Sequence, residues 1–323
     1  MMLRRTFRTI LALALFGCAA LGARAAEPAT RLIVGFQAGG GLDAVARSLA
    51  DAVSRAGERK VIVENKPGAS GMIAIDTLRN AKPNESLLII VPSSSITMTP
   101  HTNPNFHYDP ERDLVPVARV ATYTLGLAVP SASNTKALDE FLRSAKADKT
   151  RAAYGTAGVG LSPHYVGVKL AESAGVELVH VPYKGAGPAI NDALGNQIPA
   201  VLSTVPSLLA LTRDGRLNLL ATSGAERDPN TPDVPTFKEL GHTEAQVEEW
   251  FGVLAPGGMS QQEAASWNAA INAALETEAL VNTLTAQGFA PAPMPQPGFR
   301  QLVLDDYEAW EEALKDTGDT FAN

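Results

Sequence analysis

The stretch RLIVGFQAGGGLDAVARSLADAV, Arg31 to Val53, decides the fold. Its apolar run Leu32 to Phe36 predicts a buried strand. Three glycines follow, Gly39, Gly40 and Gly41, and Asp43 then opens a helix. The apolar positions Ala46, Leu49, Ala50 and Val53 recur at the helical period. Strand, glycine loop and helix start together make a place for an anion. Helix N-termini carry backbone N–H groups without intrahelical partners, and glycine lets a ligand approach them closely.

Working outward, the same alternation runs along the chain. Strands are predicted at Arg31–Phe36, Val61–Glu64, Leu87–Pro92, Val115–Val120, Leu125–Val129, Ala152–Gly155, Leu178–Val181, Pro199–Ser203, Leu217–Thr222 and Gly252–Ala255. Helices are predicted at Asp43–Arg55, Ala69–Asn80, Ala137–Ala147, Pro163–Ala174, Gly187–Leu194, Pro206–Thr212, Gln261–Glu276 and Gly298–Thr317. Short apolar strands alternating with amphipathic helices imply an α/β architecture with mainly parallel sheets. A second strand–glycine loop–helix unit, AAYGTAGVGLSPHYVGVKLAESAG, spans Ala152 to Gly175. Two such units suggest two lobes, each offering a helix N-terminus to one cleft.

The first residues read as an export leader. Arg4, Arg5 and Arg8 form a basic start, Ile10 to Leu21 an apolar core, and Ala23-Arg24-Ala25 a small-x-small cleavage pattern. The expected mature chain begins near Ala26, after either a Sec or a twin-arginine signal. The single cysteine, Cys18, falls in the leader, where Phe16 makes a poor lipobox, so the mature chain has no thiol chemistry and no disulfide. The formal charge of −7 includes the leader's Arg4, Arg5, Arg8 and Arg24; without those four positive charges it becomes −11. An acidic chain without basic clusters argues against nucleic acid and anionic membranes as partners.

Seven motifs occur in order: VGFQAGGGLDAVAR, VIVENKPGASGMIA, YDPERDLVPVARVA, AAYGTAGVGLSPH, VHVPYKGAGPAINDALGNQIP, ATSGAERDPNTPDVPTFKELG and WFGVLAPGGMS. With them the chain, nearly end to end, resembles the periplasmic solute-binding components of tripartite tricarboxylate transporters, the Bug family. The resemblance implies a type II periplasmic binding protein fold: two α/β lobes with a ligand cleft between them, the second lobe inserted in the first. The implied arrangement is residues 26–122 and 248–323 for lobe 1 and 123–247 for lobe 2, with crossings near Val120–Thr124 and Ala245–Trp250. It further implies a periplasmic monomer that captures a small carboxylate and delivers it to a two-component membrane permease, with no cofactor and no catalysis. A variant of the reading keeps the fold and sends the loaded form to a sensor kinase.

The resemblance also implies a pincer on the ligand carboxylate. Its first jaw is Gln37, Ala38, Gly39, Gly40, Gly41, Leu42 and Asp43; its second is Thr156, Gly158, Val159, Gly160, Leu161 and Ser162. Asp43 is expected to cap its helix or to sit in its first turn, where a carboxylate is favoured, with direct ligand contact as the alternative. His164 either donates to the ligand or braces its loop. Lys184 is a candidate buried cation near the cleft, with a solvated turn lysine as the alternative. Ser93 and Ser94 either supply hydroxyls or form a plain polar loop. Trp250 and Phe251 wall the cleft or pack in the core. Ser203 and Thr204 stand where relatives often carry Asp or Asn, and Leu42 and Leu161 stand where they usually carry hydroxyls. Those leucines predict a ligand with one carboxylate end and an otherwise apolar or aromatic body, rather than citrate.

Two other chemistries have partial signatures. Gly39 to Ala44 reads as G-x-G-x-x-A with Glu64 twenty residues further on, which fits a dinucleotide fingerprint. Gln37 and Ala38 push those glycines away from the strand end, and an exported protein meets little nicotinamide cofactor. A secreted hydrolase lacks its signs: there is no G-x-S-x-G elbow and no H-E-x-x-H, and His101, His107, His180 and His242 show no metal-ligand spacing.

Overall fold

The first strand, β1 (Thr30–Val34), runs between β2 (Val61–Asn65) and β3 (Leu87–Pro92), parallel to both. The computed structural model describes residues 29–57, 59–82, 85–106, 108–315, 317 and 321. The expected leader, Met1 to Ala25, and His107 lie outside the described residues. Strand β3, LLIIVP, is buried at every position, which is why it reads as a continuous apolar run instead of an alternating one.

Strand β9 (Glu248–Pro256) pairs antiparallel with β3, and β4 (Leu114–Pro130) pairs antiparallel with β9. The far half of β4 belongs to a second sheet, where β7 (Ala200–Thr204) and β8 (Leu217–Thr222) pair antiparallel with it. There β5 (Ala153–Thr156) lies parallel to both β7 and β6 (Val179–Pro182). A two-residue β10 (Ala290–Pro291) meets β4 at Ala121 and Thr122.

The helices are α1 (Gly41–Arg55), α2 (Met72–Arg79), the single turns α3 (Ser94–Thr97) and α4 (Thr99–Thr102), α5 (Leu138–Ala147) and α6 (Ser162–Ala174). They continue with α7 (Ala186–Leu194), α8 (Val205–Arg213), α9 (Gln261–Leu275), α10 (Glu278–Ala286) and α11 (Gln296–Leu314). Helix α1 buries Leu42, Val45, Ala46, Leu49, Ala50 and Val53, one stripe at the spacing that drives an amphipathic helix onto a sheet.

Four expectations are corrected. The two strands predicted at Val115–Val120 and Leu125–Val129 are one: Ala121 to Thr124 keep pairing with Phe251 to Glu248, so the ladder continues where a break was expected. The sheets are mixed and not mainly parallel, because β4 and β9 make only antiparallel pairs. The helix predicted from Ala69 begins as a 3-10 turn, Ala69–Gly71, in which Ala69 (φ 47°) and Ser70 (φ 55°) are left-handed. Helix α10 has no counterpart among the predicted helices. The chain is packed tightly here: a Cβ on Gly35, at the end of β1, would sit 2.8 Å from the Gly71 Cα.

Candidate ligand cleft

Where the two glycine loops face each other, a cavity of ≈ 70 Å³ lies between the sheets. The first loop and α1 contribute Gln37, Gly40, Gly41, Leu42 and Asp43 to its wall. The second loop and α6 contribute Leu161 and Ser162, α3 contributes Ser94, and the end of β7 contributes Ser203 and Thr204. The first-turn amides of α1 have no carbonyl partner within their own helix and are the dipole's positive end. Tyr123 and Leu125 on β4, Phe251 and Glu249 on β9, Phe36 and Ser207 also line it. Of these, only Phe251 is among the residues singled out from the sequence. Trp250, its neighbour, turns away and packs edge-on against Phe299, with its indole N–H donating to Asp306 at 2.7 Å.

Not every expected residue reaches this wall. Ala38 and Gly39 are exposed outside it. Ser93 is buried and off this wall, its carbonyl accepting from the Thr97 hydroxyl and its side chain near Glu249. Thr156 lies behind the loop, donating to the Gly158 carbonyl (3.0 Å) and bonded to His180 Nε2 (2.7 Å). Gly158, Val159 and Gly160 instead line a larger outer pocket of ≈ 560 Å³, which meets the inner cavity at Phe36 and Ala157. Lys184 lines that outer pocket and is exposed, so the expectation of a buried cation is corrected: its turn leaves the ammonium in water. Thr204 also caps α8, accepting from the Ser207 N–H at 3.2 Å.

The second loop is clasped from the first sheet's side. Ser70 Oγ donates to the Val159 carbonyl at 2.7 Å, and Thr99 Oγ1 donates to the Gly160 carbonyl at 3.1 Å. The left-handed turn at Ser70 is what aims its hydroxyl across. His164 braces the same loop: its Nδ1 accepts from the Gly160 N–H (3.3 Å), and its ring stacks on His180 with centroids 3.7 Å apart. Burial pushes His164 down to about 4. Burial, and then the proximity of His164, push His180 to about 3. Both are neutral near pH 7.

Two carboxyl groups line the cavity. Of the two structural places expected for Asp43 it takes the first turn of α1, at the third position; the N-cap is Gly40, without a side-chain bond. Asp43 Oδ2 accepts from the Gly39 N–H (3.0 Å) and Arg47 Nε (3.0 Å), and its Oδ1 from Arg47 Nη2 (2.9 Å) and Asn65 Nδ2 (2.9 Å). Desolvation pushes Asp43 up, but these bonds outweigh it and hold the carboxyl below its usual range. Glu249 is 2% exposed. Its Oε2 accepts from Tyr123 (3.1 Å) and Ser94 (3.3 Å), while Oε1 has no partner among the described residues. Desolvation pushes Glu249 up to about 7 against the pull of nearby hydroxyls. The strand predicted from Gly252 leaves Glu249 in a loop, whereas β9 begins at Glu248. The available signal was its position two residues before Phe251, on the same strand face.

Comparison with known proteins places this arrangement. The periplasmic binding protein BugD superposes with a TM-score of 0.86 at 26% identity, over 92% of this chain and 99% of its own. MatC (Rpa3494) from Rhodopseudomonas palustris, solved with bound malate, gives 0.83 at 27% identity, over 89% and 99%. R. palustris Rpa4515, solved with adipate, gives 0.84 at 25% identity, over 90% and 97%. The fold is therefore that of the two-lobed periplasmic binding proteins, and the relatives are solute-binding receptors, not enzymes. The family model "Tripartite tricarboxylate transporter family receptor" matches residues 45–318, and the chain belongs to that family.

Proposed function

We propose that this protein captures, in the periplasm, a small carboxylate with a largely apolar body, and delivers it to a two-component membrane permease. The residues expected to hold the ligand are Gln37, Gly40 to Asp43, Ser94, Leu161, Ser162, Ser203 and Thr204. The carboxylate end is held at the N-termini of α1 and α6, where backbone amides and the helix dipoles favour negative charge by roughly 0.3–1 kcal/mol per end. The two lobes, residues 26–122 with 248–323 and residues 123–247, close on it about β4 and β9. Closure follows from tighter binding to the closed form, since equal affinity for both forms shifts nothing.

The observation that carries the apolar body is the cavity wall: Leu42 and Leu161 line it together with Phe36, Leu125 and Phe251. The related structures with malate and adipate support a carboxylate as the class. A thermal-shift screen of benzoate, aliphatic monocarboxylates, adipate, malate and citrate, with amino acids, sugars and phosphate as controls, tests the reading. A ligand at about a hundred times its Kd adds about 2.7 kcal/mol of stability, a shift of several degrees. Benzoate-type or aliphatic acids are expected to stabilise more than citrate. The reverse order removes the apolar body, and a response to sugars or phosphate alone removes the carboxylate.

A further inference from the structure

Glu249 Oε1 is a buried, unpartnered carboxyl oxygen in the wall of the cleft. The titratable groups facing Glu249 offer it no cation. Tyr123 on β4 donates to the other oxygen, Asp306 on α11 adds a like charge, and Asp43 across the cavity is already neutralised by Arg47. No lysine or arginine is among the described residues lining the cavity. The close hydrogen bonds are lopsided, Oε2 accepting two and Oε1 none, with the Ser162 and Ser93 hydroxyls near the carboxyl but further off. That is the pattern of a neutral acid, with a carbonyl oxygen taking donors and an O–H in need of an acceptor. Glu249 lines the same small cavity as residues of both glycine loops, so an occupant held by those loops lies beside it.

A ligand carboxylate therefore comes to rest beside a second carboxyl group in a site of low dielectric. Two such groups without a cation coexist by sharing a proton. Resting on the carboxylate reading above, we propose that Glu249 is a ligand-contacting residue that meets the captured carboxylate as a neutral acid. Its Oε1–H donates to a ligand carboxylate oxygen, so that capture takes up a proton. Starting from ionised Glu249 and a ligand carboxylate, one solvent proton bonds to Oε1 and is held between the two groups, and nothing is released. Burial pushes Glu249 up to about 7 before a second carboxylate is counted, so the uptake falls in the range where a periplasmic protein works. Capture is thereby stronger in acid than in base.

The test is isothermal titration calorimetry of the purified protein with benzoate, adipate and malate. Each is titrated at pH 5.5, 7, 8 and 9, in paired buffers of different ionisation heat. Expected are little proton uptake at pH 5.5, close to one proton at pH 9, and a Kd that rises about tenfold per pH unit above 7. Glu249→Gln, whose amide donates without titrating, abolishes the uptake and flattens the profile, with its thermal transition reporting that it folds. Binding without proton uptake at any pH overturns this inference and leaves the carboxylate reading standing. Affinity for 4-aminobutyrate that climbs with pH also overturns it, since an ionised Glu249 would then be pairing with an ammonium. Failure of all three carboxylates to bind at pH 5.5 removes both.

Discussion

Asp43 and Glu249 line the same small cavity, are both nearly inaccessible to solvent, and have carboxyl groups shifted in opposite directions. At Asp43 the cost of burial is met by an arginine, an asparagine and a backbone amide, all from the same half of the protein. At Glu249 hydroxyls alone meet part of it, Tyr123 and Ser94 the nearest, and one oxygen is left without a close donor. The difference separates two uses of a buried acid. A carboxylate with its donors supplied holds a loop in shape whatever enters the cleft. One with fewer donors, on the proposal above, responds to what enters. Burial by itself assigns neither role; the count of donors does.

The largest break in this comparison comes from Glu249→Gln. A carboxyl raised from 4.5 to about 7 binds its proton more tightly folded than unfolded. Its stabilising effect is therefore complete below pH 4.5 and is lost as pH rises towards 7. That loss amounts to roughly 3 kcal/mol. Urea denaturation of the native protein between pH 4 and 8 is expected to show the decline, and the variant to lack it. A native curve that rises across this interval would place the ionised form in the folded protein.

Asp43→Ala comes next. It strips the Gly39 amide and Asn65 of an acceptor and Arg47 of its counter-ion, at a cost of about 2 kcal/mol. Because the folded Asp43 is held below its usual range, its contribution is present at neutral pH. It fades only as pH falls through the carboxylate region, the reverse of the Glu249 trend. An Asp43→Ala penalty unchanged between pH 3 and pH 7 contradicts this. Tyr123→Phe is the finest probe. Removing one of the two donors to Oε2 pushes Glu249 further up and moves the midpoint of its stability loss upward by about half a pH unit. A midpoint moving downward would mean that the phenol does not favour the ionised form.

The loops around the cleft were legible because glycine triplets and the 3.6-residue period are local signals. The stripe from Leu42 to Val53 and the start of α6 at Ser162 follow from residues within a few positions. What the sequence withheld depends on partners far away along the chain. Asp43's role needs Asn65, which arrives on β2 from 22 residues on. Glu249 needs Tyr123, 126 residues before it and opposite it in the β4–β9 ladder. Nor does a lysine in a tight turn such as Lys184 report locally whether its ammonium points inward or into water. The unbroken β4 was missed for a related reason: only pairing with β9 reveals that Ala121 to Thr124 stay extended.

Strand β9 sorts its residues by parity. Glu249 and Phe251 enter the cleft, while Trp250 faces the opposite layer, against Phe299 and Asp306. Across the ladder, Tyr123 and Leu125 share the cleft side of β4. A change of cargo can thus be written on alternate letters of two strands while the letters between them keep the scaffold intact. Such interleaving lets a lineage trade one nutrient for another by exchanging a few side chains, without passing through a protein that no longer folds.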